Sequence, residues 1–291
     1  MITLQMSFNG AIEIRSVDRS PSVYLDHCAF RNISEDQSRR ESFIKILKEK
    51  DGTLCISWLN LIEFAKVDPS QQKLAESFVD EVLPNVVFLK SDPFFVIDRE
   101  NDFINGGAQI LPHIDAEFGK SLLTGGAKSI KLLSADSLFQ LAACPKLLES
   151  RKNIANTVIE RIEKLRYQFA TNSEFANRVD TFIYHDTALR GTPLLIREMI
   201  RSLLKNSKLI MTENHAFDLM HTVVPVSYCD FVLLDSHWTT QIEQARKRME
   251  KDGVLKFPMA KVYSQKNDGI ASFVSDLKNY TVPSTNLKQA V

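Results

Sequence analysis

The chain of 291 residues lacks an excess of charge of either sign. Lys plus Arg number 36 and Asp plus Glu number 36, so the formal net charge is zero. That balance excludes a strongly basic scaffold that coats nucleic acid without preference, although it leaves room for a local basic patch. Cysteine is sparse: Cys28, Cys55, Cys144 and Cys229 are scattered, and no two form a CxxC pair. A structural zinc site therefore has little support, and the pattern reads as reduced thiols in a cytosolic protein. No apolar run approaches the roughly 18 residues that a membrane span needs. The first twenty residues carry no basic stretch leading into an apolar one, so no secretory leader is expected. Internal repeats and low-complexity tracts are missing too. The expectation is a cytoplasmic protein with no membrane partner.

What is present is an ordinary globular composition, 44% hydrophobic and 25% charged. "ITLQMSFNGAIEI" alternates around Asn9-Gly10, a hairpin turn signal. "SVYLDHCAF" is a short apolar run that stops at Asp26. "SEDQSRRESFIKILKEKDG" reads as one helix capped near Ser34 and ended by Asp51-Gly52. "TLCISWLNLIEFAKV" starts as a strand and turns helical, with Glu63 early in that helix. "QQKLAESFVDEVLP" is helical and "NVVFLK" strand-like. Residues 100–210 are helical in spacing, with Ile154, Val158, Ile162 and Leu165 on one face, and almost no β-rich run. Beyond them come a helix ("FDLMHTVV"), a strand ("YCDFVLLD"), a helix ("SHWTTQIEQARKRME"), a strand ("AKVYS") and a last amphipathic helix ("DGIASFVSDLKNY"). Strands alternating with helices predict an α/β fold of three α/β/α layers. The central sheet should be mainly parallel, with about four to five strands, and a mostly helical insertion should interrupt the chain.

Ligands of such sheets gather at the carboxyl ends of the strands. Asp26 and Asp235 both close a predicted strand there, Glu63 follows a third, and Asp218 lies on the helix leading into the last. Each acid alone reads as a helix cap, a turn residue or a solvated side chain. As an ordered set they read as a carboxylate cluster. Crowded carboxylates cannot all ionise cheaply without a cation, and an all-oxygen site suits Mg²⁺ or Mn²⁺. Asp230, which opens the last of these strands, is a further possible ligand or a turn residue.

On these residues the chain resembles the PIN-domain family of metal-dependent ribonucleases. "VYLDHCAF" is similar to the family's first motif, "LCISWLNLIEFAKV" to its second, and "FDLMHTVVPVSYCDFVLLDSHW" to its third and fourth. The resemblance implies a discontinuous core over 20–95 and 212–280. It leaves 100–210 as the helical insertion, 1–19 as a hairpin-like extension and 281–291 as a tail. It further implies an endoribonuclease that hydrolyses RNA by metal-activated water, with Asp26, Glu63, Asp218 and Asp235 as ligands of Mg²⁺ or Mn²⁺. His27 and Cys28 depart from the small polar residues that many members place after the first Asp. The long insertion departs from the small toxin-like members, and could shape a substrate channel, bind a partner or mediate homo-oligomerisation. Weak candidates for the RNA backbone are Arg39, Arg40, Arg197 and Arg201, with Arg190 and the run "ARKRMEK" behind them; such residues usually form solvated faces.

His221, His237 and the pair His185-Asp186 read as hydrogen-bonded or capping residues. His27 and Cys28, taken as neighbours on a strand, would point to opposite faces and so make a poor nucleophilic dyad. Two other readings stand beside the nuclease. One is a phosphohydrolase of the haloacid-dehalogenase type, which wants an Asp where this chain has Cys28. The other is a non-catalytic scaffold whose insertion binds a partner.

Overall fold

The structure, a computed structural model, describes residues 2–6, 12–64, 67–106, 111–116, 145–180, 191–206 and 208–281. Two antiparallel strands, β1 (Ile2–Met6) and β2 (Ile12–Ser16), form a separate ladder. The central sheet has five strands: β3 (Ser22–Leu25), β4 (Thr53–Ser57), β5 (Val86–Leu89), β6 (Phe231–Leu234) and β7 (Lys261–Ser264). They run all parallel in the order β5-β4-β3-β6-β7. Every residue of β3, β4, β5 and β6 is buried. That explains why they read as continuous apolar runs and not as alternating ones: helices cover both faces, so neither needs polar side chains. The edge strand β7 is the least buried of the five.

The order has a consequence for function. From β3 the chain steps outward to β4 and β5, then returns to the other side of β3 for β6 and β7. The connections leave β3 and β6 in opposite directions, which opens a crevice beyond their carboxyl ends.

Eleven helices flank the sheet among the described residues, giving three α/β/α layers. In one set α1 (His27–Glu35), α2 (Gln37–Glu49), α3 (Trp58–Phe64) and α4 (Pro69–Val82) contact one another, and α11 (Gly269–Asn279) joins them through α2. In the other set are α5 (Pro93–Ile104), α6 (Pro145–Thr171), α7 (Ser173–Asp180), α8 (Gly191–Lys205), α9 (Glu213–Tyr228) and α10 (Ser236–Lys251). Helix α9 touches α5, α6 and α8 as well as β6, so the helices of the central segment build outward from it. Ile114, inside the segment read as helical insertion, forms an antiparallel bridge with Leu89 of β5. Among the described residues, no helix is long and apolar enough to cross a membrane.

Two local readings change. The single helix expected from Ser34 is two helices, because Asp36 leaves the helical region (φ −91°, ψ 106°) and caps α2 by accepting from Arg39 N–H. A carboxylate that can satisfy an unpaired N–H competes well with helix continuation. Helix α9 is capped by Thr212 and runs through Pro225 to Tyr228, the residue expected to begin a strand. Pro225 lacks the N–H that would reach the carbonyl of His221 one turn earlier.

The core is aromatic on the α1/α2/α4/α11 side. Phe30 packs on Phe64 and edge-on to Phe78, Phe78 meets Phe43, and Phe43 stacks on Phe273. Each such pair adds about 0.5–1.5 kcal/mol beyond its buried area.

Candidate functional site

Asp26 follows β3 directly and is the N-cap of α1, where its Oδ1 accepts from Ala29 N–H at 2.6 Å. Its own N–H donates to Leu233 O at 3.0 Å, which ties the end of β3 to the end of β6. Asp235 follows β6 and is the N-cap of α10, with Oδ1 accepting from Trp238 N–H at 2.9 Å. The bland reading of both aspartates, as helix caps, is thus realised. The two caps sit at the mouth of the crevice between β3 and β6.

Glu63 arrives from β4. Ser57 at the end of that strand donates through N–H and Oγ to Asn60 Oδ1, each at 2.9 Å, and Asn60 Nδ2 donates to Leu25 O at 3.3 Å. Helix α3 is therefore pinned to the end of β3, one turn before Glu63. The Oε2 of Glu63 faces His221 Nε2 at 3.4 Å and His27 Nδ1 at 3.8 Å. Asp218 and His221 lie one turn apart on α9, and the Trp238 side chain favours the charged form of Asp218.

The electrostatics join these residues into one group. Burial pushes the Asp26 carboxyl up to about 7; Asp235 pushes it the same way, while the Ala29 N–H and the field of His221 oppose. Burial raises Asp218 as well, with Trp238 and His221 opposing and the charges of Asp235 and Glu63 adding. Burial alone would lower His221, but Glu63, Asp218 and Asp26 outweigh it and leave the ring above its usual value. His27 is lowered, chiefly by burial. Carboxylates that hold protons this tightly are ones a cation would relieve.

The four acids come from the ends of β3, β4 and β6 and from the helix before β6, and the charges of Asp235 and Glu63 reach Asp26 or Asp218. Their chemistry fits a hard divalent cation, since all the donors are carboxylate oxygens and two of them have raised proton affinity. Their arrangement is not a finished cage: among the described residues, no three His, Cys, Asp or Glu side chains are placed to grip one ion.

Asp230 falls elsewhere. At the amino end of β6, its Oδ2 accepts from Ser22 N–H at 2.7 Å and Ser22 Oγ at 3.0 Å. It locks the starts of two strands together and takes no part in the carboxylate group. Arg39 pairs with Asp36 at 3.2 Å, and Arg40 with Glu81 and Ser77 on α4. Arg201 lies 3.6 Å from Glu198. With Arg197 and Arg178 it borders a cavity of about 360 Å³ between α6, α7 and α8, walled by Leu165, Phe175 and Ile200. None of the four acids lines that cavity. His27 and Cys28 are not on a strand; they form the first turn of α1. His237 packs edge-on to Trp238. His185, Asp186 and Arg190 lie outside the described residues.

Four residues escaped the sequence reading. Gln265 follows β7 and donates through Nε2 to Asp26 Oδ1 at 3.1 Å, while its Oε1 accepts from Asn32 at 2.5 Å. Its address just past a strand was the available signal. Trp238, within "SHWTTQIEQARKRME", was read only as part of a helix. Tyr24, inside β3, hydrogen-bonds through its hydroxyl to His221 Nδ1. Arg31, one turn beyond His27, is the basic residue whose field reaches both His27 and Cys28. Comparison of the chain with known protein families, with curated proteins and with solved structures gives no match.

Proposed function

We propose that the carboxyl edge of β3, β4 and β6 is a divalent-cation-dependent site that hydrolyses phosphodiester bonds, with RNA as substrate. The observation that supports it most is the meeting of Asp26 and Asp235 at the crevice where the sheet order reverses, with Asp218 and Glu63 inside the same field. Asp26, Glu63, Asp218 and Asp235 would hold Mg²⁺ or Mn²⁺. A divalent ion there supplies Lewis-acid polarisation of a phosphate oxygen and a water acidified toward neutral pH. The protein's own part is positional: helix caps fix Asp26 and Asp235, the Asn60 link fixes the helix of Glu63, and Trp238 steadies Asp218. Arg31 offers positive charge beside the first turn of α1 for an incoming phosphate. The choice of RNA over other phosphodiesters rests on the resemblance to the PIN-domain family.

A second reading is a non-catalytic scaffold. It is favoured by the two imidazoles that already face Glu63, and by the absence of a three-donor group among the described residues. One experiment separates the readings. Thermal unfolding is followed with increasing Mn²⁺ for the wild type, Asp26→Asn, Asp235→Asn and, as control, Asp230→Ala. A nuclease site shows Mn²⁺ stabilisation that is lost in the first two variants and kept in the third. Single-stranded RNA should then be cut with Mn²⁺ and spared with EDTA. Absence of any Mn²⁺ response, with intact RNA, establishes the scaffold.

A further inference from the structure

The motif reading set His221 aside as an ordinary helix histidine, yet it is buried at 6% exposure among the four acids. Its two ring nitrogens have different neighbours. Nδ1 meets the hydroxyl of Tyr24, a side chain with no exposure. Nε2 faces Glu63 Oε2 at 3.4 Å, a few tenths of an ångström longer than a settled N–H···O bond.

The two neighbours assign the ring's proton. A bare Nε2 lone pair 3.4 Å from a carboxylate oxygen would repel it, so Nε2 carries the hydrogen and Nδ1 of the neutral ring accepts from the Tyr24 hydroxyl. A neutral ring that accepts at Nδ1 carries its hydrogen on Nε2. A charged ring carries one on Nε2 as well, with the Tyr24 oxygen accepting from Nδ1–H. In both charge states Nε2 carries a hydrogen and faces Glu63 Oε2 across 3.4 Å.

We propose that His221 is the positioning residue of the carboxylate edge: oriented by Tyr24, its Nε2–H holds the Glu63 carboxylate in place for its work there. The inference rests on the reading of Glu63 as a working ligand. A carboxylate on a short helix has several rotamers, and an N–H fixed by a buried phenol selects among them. Partners of this kind, one step behind a ligand, typically change metal affinity by about 10–100-fold when removed. His27 Nδ1 lies farther off, at 3.8 Å from the same oxygen, and its ring rests on Phe64 with centroids 4.7 Å apart.

The test has two arms. In the first, ¹⁵N-labelled histidine side chains of the metal-free protein are read by NMR in the wild type, Glu63→Gln and Tyr24→Phe. Protonated Nε2 in the wild type is expected, with its resonance displaced in Glu63→Gln. Loss of the Nδ1 partner in Tyr24→Phe should mix the two neutral tautomers. A wild-type ring with its hydrogen on Nδ1 alone, or an Nε2 signal blind to Glu63→Gln, overturns the proposal. In the second arm, Mn²⁺ affinity is measured by calorimetry for His221→Leu and His221→Gln. The leucine variant should bind at least tenfold more weakly. The glutamine variant, whose amide N–H can take the place of Nε2–H, should recover most of that loss. Equal binding by wild type and leucine variant overturns the proposal. Absence of Mn²⁺ binding in the wild type overturns the proposed function instead, and the first arm still decides whether His221 orients Glu63.

Discussion

Asp26 shows how one residue serves packing and chemistry at once. As an N-cap it stabilises α1, and Asn would cap about as well. As a buried carboxyl beside Asp235 it keeps its proton up to about pH 7, against an ordinary value of 3.8. The sign of the linkage follows. Between those values the folded chain binds a proton that the unfolded chain has lost, so stability falls as pH rises. The contribution is complete below about pH 4 and gone above about pH 7. Asp26→Asn should keep the cap, flatten the curve, and be more stable than the wild type at pH 8 by about 1–3 kcal/mol; the carboxyl keeps some contact with water, which holds the figure below the full shift. Urea unfolding at pH 5, 6.5 and 8 measures this, and parallel curves for the two proteins would refute it. A bound cation competes with the same proton, so Mn²⁺ affinity should weaken below pH 7.

At the scale of elements, the junction between β7 and α11 is the tightest spot near the site. A Cβ on Gly269 would lie 1.8 Å from Ser264 O, a backbone atom that no side-chain rotation can move aside. Gly269→Ala must therefore push α11 off the end of β7, at a cost of about 2 kcal/mol or more. Gln265 lies between the two, so the shift should also break its bond to Asp26. The expected result is a lower melting temperature together with a changed pH dependence; lower stability with the Asp26 titration unaltered would show that Gln265 moves independently. Elements of this part of the chain were also where sequence was most and least legible. Strands β3, β4, β5 and β6 announced themselves because burial on both faces demands unbroken apolar runs, and their ends gave three of the acids. The break at Asp36 and the passage of α9 through Pro225 were hidden, since a cap competes with helix continuation locally while tertiary packing can carry a helix past a proline. Of the two roles open to Asp230 the structural one is realised, because a residue that opens a strand lies at the amino edge of a parallel sheet, opposite the candidate site. Gln265, Tyr24 and His221 were illegible for a different reason: their roles come from pairings across about 200 residues of chain, which no local pattern encodes.

At the scale of the whole molecule, the question is whether the central helices form a unit of their own or part of one core. Ile162 of α6 has no exposure, and belongs to the same contiguous cluster as Val232 of β6 and Val223 of α9. Helix α6 packs directly on α9, the helix that carries Asp218 and His221. Truncating Ile162 to alanine deletes buried methyl and methylene groups from this cluster, and should cost about 2–5 kcal/mol. With one shared core the loss is felt globally. Far-ultraviolet circular dichroism and tryptophan fluorescence, the latter reporting on Trp58 of α3 and Trp238 of α10, should then fall in a single coincident transition at lower urea. If α6 and α8 instead form a separate unit, circular dichroism should show an early partial loss while the tryptophan signal and the Mn²⁺ response persist. The shared core predicts that α9 loosens with α6, so that the Mn²⁺ stabilisation shrinks in the same urea range in which helix is lost.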